Sequence, residues 1–157
     1  MLTNNGKAML KINDTTSRSG SMYMKDTSGS TVTVSNGQNS AVSQIFQRAE
    51  LVVGTGSNTP DAGDYSVTNM DAGLTTVTKA GTNDSTSPSY EQGYIAIFSK
   101  TYRNDTENNV TISEVAIKTL AMDIYQSPQF VLIIARDVID PVTIAPGEAY
   151  TFTMYIG

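Results

Sequence analysis

Apolar residues are densest between Phe130 and Asp137, where the six residues from Phe130 to Ala135 carry no polar side chain. A run this short and this rich in β-branched residues predicts a strand buried on both faces, leaving the core at Arg136-Asp137. Asp140-Pro141 follows, then a short strand at Val142–Ile144. Ala145-Pro146-Gly147-Glu148 has the residues of a type II turn, because proline pre-sets φ at the second position and glycine accepts positive φ at the third. The last strand, Tyr150–Ile156, alternates with a period of two. Tyr150, Phe152, Met154 and Ile156 share one face, as in a half-buried antiparallel strand.

The same alternation runs through earlier segments. Gly93–Arg103 predicts a long strand, Asn104–Asn109 a polar hairpin loop, and Val110–Leu120 the return strand. The alternation changes phase near Ser113-Glu114, which predicts a β-bulge there. Ser21–Lys25 and Thr31–Ser35 read as a hairpin closed by the loop Asp26–Ser30. Leu51–Val53 and Leu74–Lys79 read as short strands, and Tyr65–Val67 as a brief strand or a buried plug. Ala80–Ser89 is rich in loop formers and is expected to be exposed. Ser40–Ala49 places Val42, Ile45, Phe46 and Ala49 on one helical face, with Asn39 or Ser40 as cap. Residues 1–20 hold either an extended arm or a short helix that Thr3 caps. Seven to nine short strands joined by turns predict one all-β domain over residues 1–157. Its expected form is an antiparallel β-sandwich, jelly-roll-like, with one or two short helices near the N-terminus.

Composition narrows the chemistry. Apolar residues make up 39% and charged residues only 16%, the balance falling to Ser, Thr, Asn and Gly, which suits strands and turns. Ten Lys and Arg against fifteen Asp and Glu leave a net charge of −5, so neither nucleic acid nor an anionic membrane surface is an expected partner. No apolar run approaches the 18 or so residues of a membrane span, and MLTNNGKAMLKIND shows no apolar stretch of signal-peptide length. The four Asn-x-Ser/Thr sites, beginning at Asn13, Asn83, Asn104 and Asn109, are read as turn chemistry.

Histidine and cysteine are absent, which removes Ser-His-Asp and Cys-His catalysis, thiolate metal sites and disulfides. Gly54-Thr55-Gly56 lacks the third glycine and following helix of a phosphate loop and reads as a structural turn. Asp61, Asp64, Asp71, Glu91 and Glu114 are the carboxylates from which a glycosidase pair would come, and no spacing selects two of them. Asp61, Asp64 and Asp71 could hold calcium but lack the EF-hand ligand order; capping is the expected role. No catalytic, cofactor-binding or metal-binding residue is assigned. Tyr90, Tyr94, Tyr102, Tyr125, Tyr150 and Tyr155 would serve a recognition surface if they clustered, and otherwise lie at sheet margins. Glu114 and Arg136 are charges set in apolar strands. Each therefore needs a partner, either the other or backbone groups at strand ends.

Several segments, taken in order, resemble small bacteriophage virion proteins of the tail, neck or head-accessory type. They are Leu2-Thr3-Asn4-Asn5-Gly6-Lys7-Ala8; Val52-Val53-Gly54-Thr55-Gly56 with Thr59-Pro60 and Asp64-Tyr65; Lys100–Thr106 with Ile112–Ile117; and Leu132–Val138 with Pro141–Ile144 and Pro146-Gly147-Glu148. Ala116 stands where that pattern usually has glycine. The resemblance implies a β-sandwich located in the virion, with no catalytic residues and no cofactor. It implies assembly as a homo-oligomer and docking onto other virion structural proteins. The alternative expectation is a carbohydrate- or receptor-binding β-sandwich module. A hydrolase is the third.

Overall fold

The computed structural model describes residues 1–8, 21–35, 49–77, 96–122 and 129–157. The chain is all-β, with eight strands in antiparallel pairings among the described residues. β1 (Ser21–Lys25) and β2 (Thr31–Ser35) form a hairpin closed by Asp26–Ser30, as the turn residues predict. β3 (Glu50–Gly54), β6 (Val110–Met122) and β7 (Gln129–Ile144) form one sheet in the order β3-β6-β7. β4 (Thr75–Thr76), β5 (Ala96–Arg103) and β8 (Ala149–Ile156) form another in the order β4-β5-β8. The strands do not close into a barrel. The predicted helix at Ser40–Ala49 and the predicted loop at Ala80–Ser89 lie outside the described residues, apart from Ala49.

The inner faces of the two sheets share one hydrophobic cluster. Leu51, Val53, Val115, Ile117, Leu132 and Ile134 come from the first sheet, and Ala96, Phe98, Phe152, Met154 and Ile156 from the second. The β1–β2 hairpin adds Met24, Val32 and Val34. A smaller cluster of Val52, Ala116 and Ile133 occupies the reverse face of the β3-β6-β7 sheet. Val67 covers it from the loop, so the Tyr65–Val67 segment is a plug rather than a strand. Burial on both faces explains the unbroken apolar run in β7.

Two connections differ from the expectation. β5 and β6 are not hydrogen-bonded to each other: β5 pairs with β8, from Ala96↔Ile156 to Arg103↔Ala149, and β6 pairs with β7. Asn104–Asn109 is therefore a corner between sheets, not a hairpin loop. The turn at Ala145–Glu148 is the matching corner between β7 and β8. Together the four strands make one long antiparallel ribbon folded over on itself. Alternation reports which side of a strand is buried but not which strand lies beside it, so the sequence pattern fits both readings. The second difference is that Val142–Ile144 continues β7, with its pairing interrupted between Val138 and Val142. Pro141, which has no N–H to donate, sits in that interruption on an edge strand.

The predicted bulge is present: the register of β6 against β7 shifts between Ile112 and Glu114. The type II turn is also as expected, with Gly147 at φ 80° and Glu148 N donating to Ala145 O at 3.0 Å. Asn104 ties the two corners together and is fully buried. Its Nδ2 donates to Asn108 O (2.7 Å) and Ile144 O (2.8 Å), and its Oδ1 accepts from Thr106 N and Thr106 Oγ1.

Both edges of the β3-β6-β7 sheet are covered by the chain itself. Along β7, Met1 N donates to Arg136 O, Arg136 N to Met1 O, and Thr3 N to Ile134 O. Along β3, Thr55 N donates to Thr68 O and Asp71 N to Val53 O. Residues 4–8 are helical, and Thr3 caps them as the sequence predicts, with its Oγ1 accepting from Gly6 N at 3.2 Å. The same hydroxyl donates to Ile133 O at 2.7 Å.

Candidate functional site

The most organised polar group in the chain is a buried ionic node on the reverse face of the β3-β6-β7 sheet. It follows from the bulge. Once Ser113 is left unpaired, Glu114 on β6 and Arg136 on β7 both project away from the shared core, beside Gly54 at the end of β3. Arg136 Nε donates to Glu114 Oε2 at 2.6 Å, and Nη1 donates to Asp64 Oδ2 at 2.8 Å and to Asn58 O at 3.2 Å. Glu114 Oε1 accepts from Gly56 N (2.9 Å) and Thr68 N (2.7 Å). Glu114 is fully buried and Arg136 is 4% exposed. Among the described residues, no buried side-chain N or O atom lacks a hydrogen-bond partner.

The expected pairing of the two charges with each other is thus found, while the backbone partners lie in the loop at Gly56, Asn58 and Thr68 rather than at strand ends. Burial works against the Arg136 charge, but its bonds to Glu114 and Asp64 and their negative charges outweigh it, raising its pKa above the ordinary value. A charge pair this deep survives only when its remaining donors and acceptors are also satisfied. The loop from Thr55 to Thr68 supplies those partners.

The node also accounts for Gly54-Thr55-Gly56. A Cβ on Gly56 would lie 2.5 Å from Glu114 Oε1, and one on Gly54 would lie 2.6 Å from the same oxygen and 2.4 Å from Val67 Cγ1. The two glycines let the backbone close on the carboxylate. The loop does cradle an anion, and that anion is the chain's own Glu114. The structural-turn reading of this segment holds.

The three aspartates weighed as calcium ligands have separate partners. Asp64 bonds Arg136, and its Oδ2 also accepts from Asp61 N (2.8 Å). Asp61 Oδ1 accepts from Gly63 N (2.7 Å). Asp71 Oδ1 lies 2.9 Å from the Tyr102 hydroxyl, which is also 3.0 Å from Leu51 O. No group of three His, Cys, Asp or Glu among the described residues could hold a metal ion. Glu91 lies outside the described residues. The sequence marks Glu114 and Arg136 as charges that need partners but does not mark Asp64 as one of those partners, because nothing in its spacing ties it to Arg136.

Among the described residues, Tyr102, Tyr150 and Tyr155 do not gather on one exposed face. Tyr102 is buried in the core, where burial and then the Asp71 carboxylate push its hydroxyl above the ordinary range. Tyr150 and Tyr155 are 45% and 55% exposed but stand on opposite faces of β8, and Tyr150 leans on Phe152 at 4.8 Å between ring centroids. Tyr90, Tyr94 and Tyr125 lie outside the described residues.

Three of the ordered segments singled out in the sequence meet at this node: Gly54-Thr55-Gly56 with Asp64, Ser113-Glu114, and Arg136. The fourth, Leu2–Ala8, abuts it. Met1 brackets the Arg136 backbone, Asn4 N donates to Ala62 O, and a Cβ on Gly6 would lie 2.0 Å from Ile134 O. Asn5 bonds the backbone of Lys25 through both ends of its amide. Searches with this chain match no family model, no curated protein and no solved structure.

Proposed function

We propose that this chain is a non-enzymatic structural component of a bacteriophage virion, of the tail, neck or head-accessory type, which associates with copies of itself and docks onto other virion proteins. The observation that carries the reading is the convergence at the Glu114–Arg136–Asp64 node. Segments far apart in sequence, which match the virion pattern in order, come together there to fix loops and strand edges. Every charged group in the node is engaged by the chain itself, so the residues that carry the resemblance serve the framework. A domain built this way keeps its loops and faces in fixed positions, which is what an assembling part requires.

The test is to locate the chain. Virions of the phage that encodes this sequence are purified, and the chain is identified by mass spectrometry and placed in a density map. The reading expects a fixed copy number arranged about the symmetry axis of a tail, neck or vertex. A chain absent from purified particles and monomeric in solution contradicts it.

A further inference from the structure

The outer faces of the two sheets are treated differently by the chain. The loop 55–71 covers the outer face of β3-β6-β7 around Val52, Ala116 and Ile133, and the N-terminal segment lines the β7 edge, leaving the Thr111–Thr143 end exposed. The outer face of β4-β5-β8 carries Ser99, Thr101 and Arg103 on β5 beside Thr153, Thr151 and Ala149 on β8. Ser99, Arg103, Ala149, Thr151 and Thr153 are exposed, and Thr101 is half-buried. At its far end Ile97 is only 6% exposed while its partner Tyr155 on β8 is 55% exposed, so the open stretch runs from Tyr155 to Arg103.

Three properties of this stretch favour contact with its own copy. First, Arg103 is its one charged side chain among the described residues, and Arg103 Nε is neutralised by Asp105 Oδ1 at 2.6 Å. The whole chain carries −5, so two copies repel wherever acidic surfaces face each other, and a neutral face is where they approach most easily. Second, the hydroxyls are already bonded in pairs across the strands, Ser99 Oγ with Thr153 Oγ1 at 2.8 Å and Thr101 Oγ1 with Thr151 Oγ1 at 2.7 Å. Each pair satisfies one of its two hydroxyl protons internally, so covering the face leaves one proton per pair, rather than two, for the other copy to accept, which lowers the cost of removing water. Third, threonines on a strand have few rotamers to lose on contact.

We infer that the outer face of the β4-β5-β8 sheet, centred on Thr101, Thr151 and Thr153, is the surface through which two copies of this chain pack face to face about a two-fold axis. The inference rests on the self-association in the proposed function and names the surface that performs it. A two-fold contact sets each residue against the same patch of the other copy. A charge placed there meets itself, so either sign disrupts.

The experiment is sedimentation equilibrium of the full-length chain over a wide concentration range. It compares the wild type, Thr153→Glu, Thr153→Arg, and Thr143→Glu as control. Thr143 sits in the same kind of exposed hydroxyl pair on the other sheet, 3.0 Å from Thr111. Thermal melting checks that each variant is folded, and Ser99→Glu with Ser99→Arg replace any Thr153 variant that is not. The expected result is self-association weakened about tenfold or more by both charges at Thr153 and unchanged by Thr143→Glu. If the Thr153 variants associate like wild type, or Thr143→Glu weakens association equally, this surface is wrong while self-assembly stands. If glutamate weakens association and arginine strengthens it, the face meets a different, acidic surface and the two-fold contact is wrong. A wild type that stays monomeric throughout overturns the self-association itself.

Discussion

The two three-stranded sheets face a common core and differ on their outer sides. The β3-β6-β7 sheet has both edges bonded and the middle of its reverse face covered by the chain, around a buried ion-paired node. The β4-β5-β8 sheet turns paired hydroxyls outward. One sheet therefore depends on specific polar partners that a substitution leaves stranded. The outer face of the other should tolerate substitution without loss of stability, the proposed contact showing its consequences in self-association alone.

The sharpest way to break this contrast is Arg136→Met. It leaves Glu114 without its charge partner at full burial and releases Asp64, so unfolding free energy should fall by about 3–5 kcal/mol in urea titration. Adding Glu114→Gln should restore part of the loss, because no buried charge then remains and a glutamine oxygen still serves Gly56 N and Thr68 N. Gly56→Ala should cost about 1–3 kcal/mol, since its Cβ meets a carboxylate fixed on three sides.

Asn104→Ala should cost a similar 1–3 kcal/mol or so by leaving Ile144 O and Thr106 N unpaired at the corners. Smaller again is the acid response of Glu50. Burial raises its pKa, but Lys100 at 2.8 Å and Lys118 at 2.9 Å outweigh this and hold it below the ordinary 4.5. Its folded value is the lower one, so its contribution is present above pH 4.5 and lost as pH falls below it. Melting temperature should drop through that range, and Glu50→Gln should make the drop shallower. The smallest effect belongs to the open face: Thr153→Val should change stability by about 0.5 kcal/mol or less.

Much of this was legible in the sequence. The bulge at Ser113-Glu114 shows as a break in alternation, the Pro146-Gly147 turn as a dipeptide with one favoured geometry, and the Glu114–Arg136 pair as charges that apolar strands cannot hold alone. What stayed hidden is lateral. Period-two alternation cannot say that β5 pairs with β8 rather than with β6, so a corner between sheets reads as a hairpin loop. Asn104 looks like any loop asparagine, and only the meeting of two corners buries it. Asp64 is selected by a partner 72 residues away. The positive φ of Asn69, Asp71 and Ala72 also has no sequence signal at Ala72.

The proposed division between a locked sheet and a contacting sheet is tested most directly by thiol accessibility, which the cysteine-free sequence makes clean. Single Thr143→Cys and Thr153→Cys chains are treated with a maleimide over the concentration range used to test the proposed self-association. The account predicts rapid labelling at position 143 and slow labelling at position 153 that becomes rapid on dilution. Equal labelling at both positions, independent of concentration, contradicts it.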